Sequence, residues 1–358
     1  MKYRYVLLIG VLIFINQRNS YAQSDSLTSN YLKHNKNDTL NNEKSNQLLF
    51  AVKKDGLYGY INNHGDVVIS LKYDYASSFS ENIAVVKQGK YFGYIDKMGK
   101  DISLSQFEIA GQFSEDYALI KISGKWGFIH KSMHIQIGTI YQEAGNFSEG
   151  LAPVKLKDKW EYIDSEGKTI IESKYDIATS FKEGLAAVNN GAVINNYGKY
   201  VEGKWGFIDN KGVFIIEPQF EEVSSFSNGM ALVKIGNNYG IIDKTGNYII
   251  KPKYDWLSLI SEDLAAVKIG KNYGFINEAG EKIIKPQYEE VLPFSEGLAA
   301  VKINGKWGFI DKKGTFVIQP IFDAITNFKN GLAEVFIGKS YNLNSIYIDK
   351  TGKYIWGK

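Results

Sequence analysis

Three groups of side chains in this chain have the types that chemistry requires. The first is a series of carboxylates, with Asp209 and Asp243 34 residues apart and Asp311 a further 68 on. A ladder of carboxylates could bind calcium along one edge. A calcium site wants several oxygens converging within one loop, whereas each of these stands alone among lysines in DNKG, DKTG and DKKG. The pattern fits a turn role instead. A short carboxylate accepts hydrogen bonds from turn backbone, and the Gly three residues on (Gly212, Gly246, Gly314) suits a position with positive φ.

The second group is His130 and His134 in HKSMH. On a strand they would share a face about 13 Å apart, too far to hold one metal ion. The third is the pairs Glu221-Glu222 and Glu289-Glu290, which lie at matching places in the chain. Acid/base work on glycosides needs two carboxyls about 5–10 Å apart in a cleft; neighbouring glutamates at corresponding positions read as a solvated rim. No GxSxG, HExxH or P-loop motif occurs, and there is no cysteine to act as nucleophile or thiolate ligand. The expectation is a non-enzymatic chain with no catalytic residue, metal site or cofactor.

The elements that carry these residues repeat. An aromatic side chain recurs at Tyr58, Phe92, Trp126, Trp160, Trp205, Tyr239, Tyr273 and Trp307, at intervals of 34 residues except for one of 45. Glycine follows it in Trp126-Gly127, Trp205-Gly206 and Trp307-Gly308, and Glu161 replaces it after Trp160. Each unit starts with an alternating run such as LAAVKI (298–303) and continues through WGFID (307–311), a turn, and TFVIQP (315–320). Period-two alternation broken by turn residues reads as strands in hairpins. A connector follows, QYEEVLPFSEG (287–297), whose last residue is Gly, Asn or Asp in every copy, the residues that enter the left-handed region most cheaply. The Phe three residues earlier, replaced once by Ile260, is expected to plug the space under this loop.

The predicted fold is therefore an all-β tandem array over 46–358, of about nine 34-residue three-stranded antiparallel meanders. Units start near 46, 82, 116, 151, 185, 230, 264, 298 and 332, with an insertion at about 189–200. A propeller blade usually carries four strands in about 40 or more residues, so an open superhelical solenoid is expected, with a closed propeller-like toroid as the alternative. Units one and nine would then be caps.

Ahead of the array, residues 1–22 have a basic start, an apolar run from Val6 to Ile15 and Ala22 before Gln23. That layout is a secretory leader, too short to span a bilayer. Residues 23–45 are polar and rich in Asn, Ser and Lys, a flexible linker. Removing the leader takes away Lys2, Arg4 and Arg18 and no acid, which leaves 39 residues of each sign. The expectation is an exported protein of periplasm, cell surface or medium, without a transmembrane segment in its mature form and without a basic field for nucleic acid.

The repeated KWGFID and FSEGLAAV segments resemble the WG (KWG) repeat family over roughly 46–358. The resemblance implies β-rich tandem arrays in bacterial proteins, often exported, and brings no catalytic residues. What binding there is would ride on the surface the units generate. Trp256 departs from the residues at its register and is the first candidate anchor; Tyr197 and Tyr200 of the insertion are the second. The expected partner is a protein or cell-envelope component, with a glycan stacking on aromatic rings as the alternative. The aromatic-glycine step itself is read as core filling between units, with Gly relieving crowding by the next unit.

Overall fold

The computed structural model describes residues 47–103, 107–195, 200–338 and 344–357. The leader, the linker and Tyr197 lie outside the described residues. Those from Leu48 onward form one compact unit, in which every described element is a β-strand.

Blade 8 shows how the sequence makes its sheet. Glu290–Val291 is a short strand, Ala299–Ile303 an entry strand, Lys306–Ile310 a middle strand and Phe316–Phe322 a final strand, hydrogen-bonded in that order. Nine such sheets follow one another among the described residues: blades 1 to 9 span 50–73, 75–107, 109–141, 143–175, 177–220, 222–254, 256–288, 290–322 and 324–356. Blades 3 to 9 have four strands, where three-stranded meanders were expected. The difference lies in the connector. Its two-residue strand starts one residue after the preceding final strand, as Ala324–Ile325 does after Phe322. One extended stretch thus serves two neighbouring sheets, which fits four strands into 34 residues.

Within a blade the aromatic-glycine step sits beside a bulge. Trp307 pairs with Phe322 and Phe309 with Ile318, so the final strand carries two extra residues around Pro320. Pro218, Pro252 and Pro286 hold the same place in blades 5, 6 and 7, where a bulge tolerates the missing N–H. A Cβ on Gly308 would meet the Ile318 oxygen at 2.6 Å and the Pro320 nitrogen at 2.7 Å. The crowding that excludes a side chain therefore comes from the same blade's bulge, not from the next unit.

Between blades the core is aromatic. The connector phenylalanine of each blade packs on the middle-strand ring of the blade before it: Phe294 on Phe275 at 4.9 Å, Phe328 on Phe309 at 4.5 Å, Phe79 on Tyr60 at 4.8 Å. Ile260 joins Ile241 in the seam between blades 6 and 7. A second fastener lies above five of the plugs. Glu296 (φ 54°) takes the left-handed region, and its carboxylate accepts the Gly331 N–H of the next blade's loop at 3.0 Å. Glu115, Glu149, Glu183 and Glu262 do the same one seam at a time.

The array closes on itself. Phe50 of blade 1 meets Tyr347 of blade 9 edge-on at 5.9 Å, and the Tyr347 hydroxyl donates to the Ala51 oxygen at 2.9 Å. The blade 1 turn at Gly65 lies so close to blade 9 that a Cβ there would meet the Ile355 oxygen at 2.3 Å. The expected open solenoid with capped ends is thus overturned: the chain forms a ring of nine blades, and the two supposed caps are each other's neighbours. The fourth strand that a propeller blade needs is supplied by the connector.

Two stability outcomes follow from this packing. Gly308→Ala should cost about 1–3 kcal/mol by urea denaturation, because the added methyl overpacks against backbone. Gly138→Ala has open space and an ordinary φ and should be neutral or stabilising by up to about 1 kcal/mol. Phe50→Ala should raise amide exchange first in the strands Phe50–Lys54 and Asn344–Asp349, before that of Tyr200–Ile208 in blade 5, the blade farthest from that seam; uniform loss of protection would contradict closure at Phe50.

Candidate functional site

Each blade places three side chains side by side at one register. In blade 8, Glu290 of the short strand opposes Lys302, which opposes Trp307 of the middle strand. Directly opposed residues share a sheet face, so the lysine is flanked on both sides. Its ammonium lies 5.8 Å from the centre of the Trp307 ring and 2.6 Å from the Glu290 carboxylate. Lys87 over Phe92, Lys121 over Trp126, Lys234 over Tyr239 and Lys268 over Tyr273 repeat the ring contact at 5.2–5.3 Å. In blade 6 the Lys234 hydrogen bond holds the Glu222 carboxyl below its ordinary range, and Tyr239 donates to it at 2.8 Å. These pairs are exposed, and such ion pairs contribute little to stability.

The middle of this trio is nearly constant, while its short-strand member changes from blade to blade. Tyr75, Ile109, Glu143, Ile177, Glu222, Trp256, Glu290 and Ala324 occupy it in order. Trp256 is half-buried, with its ring 5.3 Å from Tyr273 and packed beside the core of the seam between blades 7 and 8. Tyr75 is 43% exposed and stands between the rings of Tyr58 and Phe92 at 6.1 and 6.0 Å.

Other residues singled out in the sequence fall elsewhere. The insertion lengthens two strands of blade 5, Ala186–Ile194 and Tyr200–Ile208, into a projecting hairpin. Tyr200 bonds through its hydroxyl to Lys155 of blade 4, whose ammonium also lies 5.2 Å from the Tyr200 ring centre. It is engaged within the protein. Asp209, Asp243 and Asp311 sit in the turns, each carboxylate accepting two turn N–H groups, as Asp311 does from Lys313 and Thr315 at 2.9 Å. Trp205 and Trp126 are half-buried, Trp307 is buried, and Gly127 and Gly206 are as crowded by their own bulges as Gly308.

The two histidines are closer than a strand would make them. His130 and His134 flank a turn, with ring centres 5.3 Å apart and the Ser132 hydroxyl between their Nδ1 atoms at 2.8 and 2.5 Å. Met133 supplies φ 67° there without glycine. Among the described residues no three His, Asp or Glu side chains converge as metal ligands, and no helix is long and apolar enough to cross a membrane.

Sequence reasoning missed the closure seam. A cavity of about 1570 Å³ borders it and runs on as far as blade 3, bounded by Glu334, Tyr347 and Trp356 of blade 9, Lys53 and Tyr58 of blade 1, Tyr75 and Val85 of blade 2 and Gly111 of blade 3 among others. The seam departs from the others. Ser345 takes the place of the step aromatic, opposite Phe336, and blade 1 has no short strand among the described residues. The signal was present as the worn ninth copy, but a worn copy at the end of an array reads equally well as a cap.

Comparison with known proteins places the chain by its repeats. The sequence profile described as "WG containing repeat" matches at 58–91, 92–126, 126–160, 162–200, 205–239, 239–273, 273–307 and 307–341. No curated protein matches. Among solved structures, Hsv2p of Kluyveromyces lactis is 12% identical, with 72% of this chain and 89% of that one covered and a TM-score of 0.39. The tricorn protease is 9% identical at a TM-score of 0.35, over 83% of this chain and 41% of its own. The extracellular domain of the hybrid two component system BT4673 from B. thetaiotaomicron is 11% identical at 0.36, over 86% of this chain and 55% of its own. At scores this low the likenesses carry no argument about activity or partners. The eight consecutive matches do carry the family: this chain belongs to the WG-containing repeat proteins.

Proposed function

We propose that the chain is an exported, non-enzymatic scaffold that binds a protein of the cell envelope through the short-strand rim. One observation carries this reading: a nearly constant frame of lysine and aromatic residues presents a side chain that changes from each blade to the next, from Tyr75 through Glu222 and Trp256 to Ala324. Repeat arrays recognise partners through positions that vary on a constant backbone. Exposed aromatics beside charged residues are the composition of a protein-binding surface. The glycan alternative is weakened at the step rings, because a sugar needs a free ring face and a lysine ammonium lies over six of those, in blades 1, 2, 3, 6, 7 and 8.

A photocrosslinking side chain placed at Tyr75, Glu222 or Trp256 should capture a discrete partner from envelope extract. The same group at Ile215 or Val317, which are exposed on final strands, should capture none. Equal capture from both sets would refute the rim as the binding face. Export has its own readout: mass spectrometry of the chain recovered outside the cytoplasm should find an N-terminus at Gln23.

A further inference from the structure

We propose that the closure seam binds an extended segment of a partner protein, which pairs with the free edge of blade 1 and presents a lysine or arginine to Glu334. The proposal deepens the scaffold reading above by naming a second place of contact and the chemistry it takes.

The edge comes first. In blade 2 the chain around the short strand gives the Asp74 N–H to the Lys87 oxygen and the Ser77 N–H to the Val85 oxygen, both at 2.9 Å. The counterparts in blade 1 are the Lys53 and Ala51 oxygens, on a strand that among the described residues pairs with its middle strand alone. The Tyr347 hydroxyl has taken the Ala51 oxygen; the Lys53 oxygen faces the cavity side with no short strand to meet it among the described residues. An unpaired edge of this kind templates one more strand.

The charge comes second. Glu334 opposes Tyr347 in its sheet and so faces the seam with blade 1. Every other blade has an apolar residue at this register: Ala51, Val85, Leu119, Pro153, Ala187, Leu232, Ala266 and Ala300. Burial holds its carboxyl above the ordinary range, the Ser345 hydroxyl being the bond that opposes this. No cation pairs with it among the described residues. A carboxylate withdrawn from water is stabilised by a cation at close range, and the Tyr347 ring opposite it suits an ammonium or guanidinium further.

The volume comes third. About 1570 Å³ exceeds the ~300–1,000 Å³ of most small-molecule sites and admits a stretch of chain. This protein's own residues before 47 are poorly matched to the task. At the plug register they offer Ser45, and at the two short-strand positions Asn41 and Asn42.

The test is fluorescence polarisation of the full chain with a blocked, labelled octapeptide of alternating valine and lysine. It should bind at least about tenfold more tightly than a valine–glutamine counterpart. Glu334→Gln should reduce that preference to about twofold or less without loss of the β-sheet circular dichroism, since it removes an uncompensated charge rather than a packing group. N-methylation of alternate valines should weaken binding by about tenfold or more by removing the ladder hydrogen bonds. Equal binding of the two peptides, a preference that survives Glu334→Gln, or indifference to N-methylation would each overturn the proposal. Binding that appears only after deletion of residues 1–45 would assign the groove to this chain's own segment and overturn it too. Failure of the peptide with crosslinking at Trp256 retained sinks the groove alone; failure of both sinks the scaffold reading as well.

Discussion

The ring depends on one contact, the insertion of each connector phenylalanine onto the middle strand of the blade before it. Phe294 lies on the fully buried ring of Phe275, in a cluster that residues of both blades complete. Removing such a buried phenylalanine costs about 3–5 kcal/mol. The glutamate fastener beside it is of a different kind. A non-glycine residue in the left-handed region costs roughly 1–2 kcal/mol, and a charge-assisted bond to backbone N–H returns about 1.5–3 before solvent screening trims it. The two nearly cancel. The plug therefore supplies the energy of the seam, and Glu115, Glu149, Glu183, Glu262 and Glu296 set its register.

Closure follows from the same logic. An array of units that each need a neighbour leaves two unsatisfied ends, and bending into a ring lets those ends satisfy one another. The residues at that last seam have to differ, because blade 1 has no connector before it in the repeat. Phe50 stands where the other blades have alanine, at Ala84, Ala118, Ala152, Ala186, Ala231, Ala265, Ala299 and Ala333. The missing connector plug is thus replaced by a ring from the entry strand, and the missing short-strand N–H by the Tyr347 hydroxyl. Neither replacement fills the seam completely, which is why the cavity lies there.

Much of this fold was legible in the chain because local physics wrote it. The strands followed from period-two alternation, the turns from the Asp and Gly spacing, and the connector loops from the Gly/Asn/Asp rule at Asn82, Asp116 and Asp263, all of which take positive φ. Closure was not legible, because it depends on the angle between successive blades, and no residue encodes an angle by its type alone. The short strand was missed because two residues show no period. Pro218, Pro252, Pro286 and Pro320 could have revealed the bulge that crowds Gly308, since a proline at one register in four copies cannot continue an ordinary ladder. The histidine geometry failed for a plainer reason: a strand separation was applied to residues that flank a turn.

The candidate site was half legible for a reason that applies to any closed repeat. Along the refrain, a change of side chain is bounded by two seams of fixed shape, so Trp256 must still pack on Tyr273 and Lys268 must still lie over that ring. At the junction of last and first blades those bounds lapse, because neither partner there has to match a third. A carboxylate stands at 334, where every other blade has an apolar residue, because the ring that serves as plug there comes from Phe50 of the entry strand and not from a connector. The same freedom allows Ser345 in place of an aromatic. A repeat protein that closes thus gains one site where it can depart from its own rule without breaking the register of the rest, and that is where its unpaired backbone, its unpaired charge and its empty volume coincide.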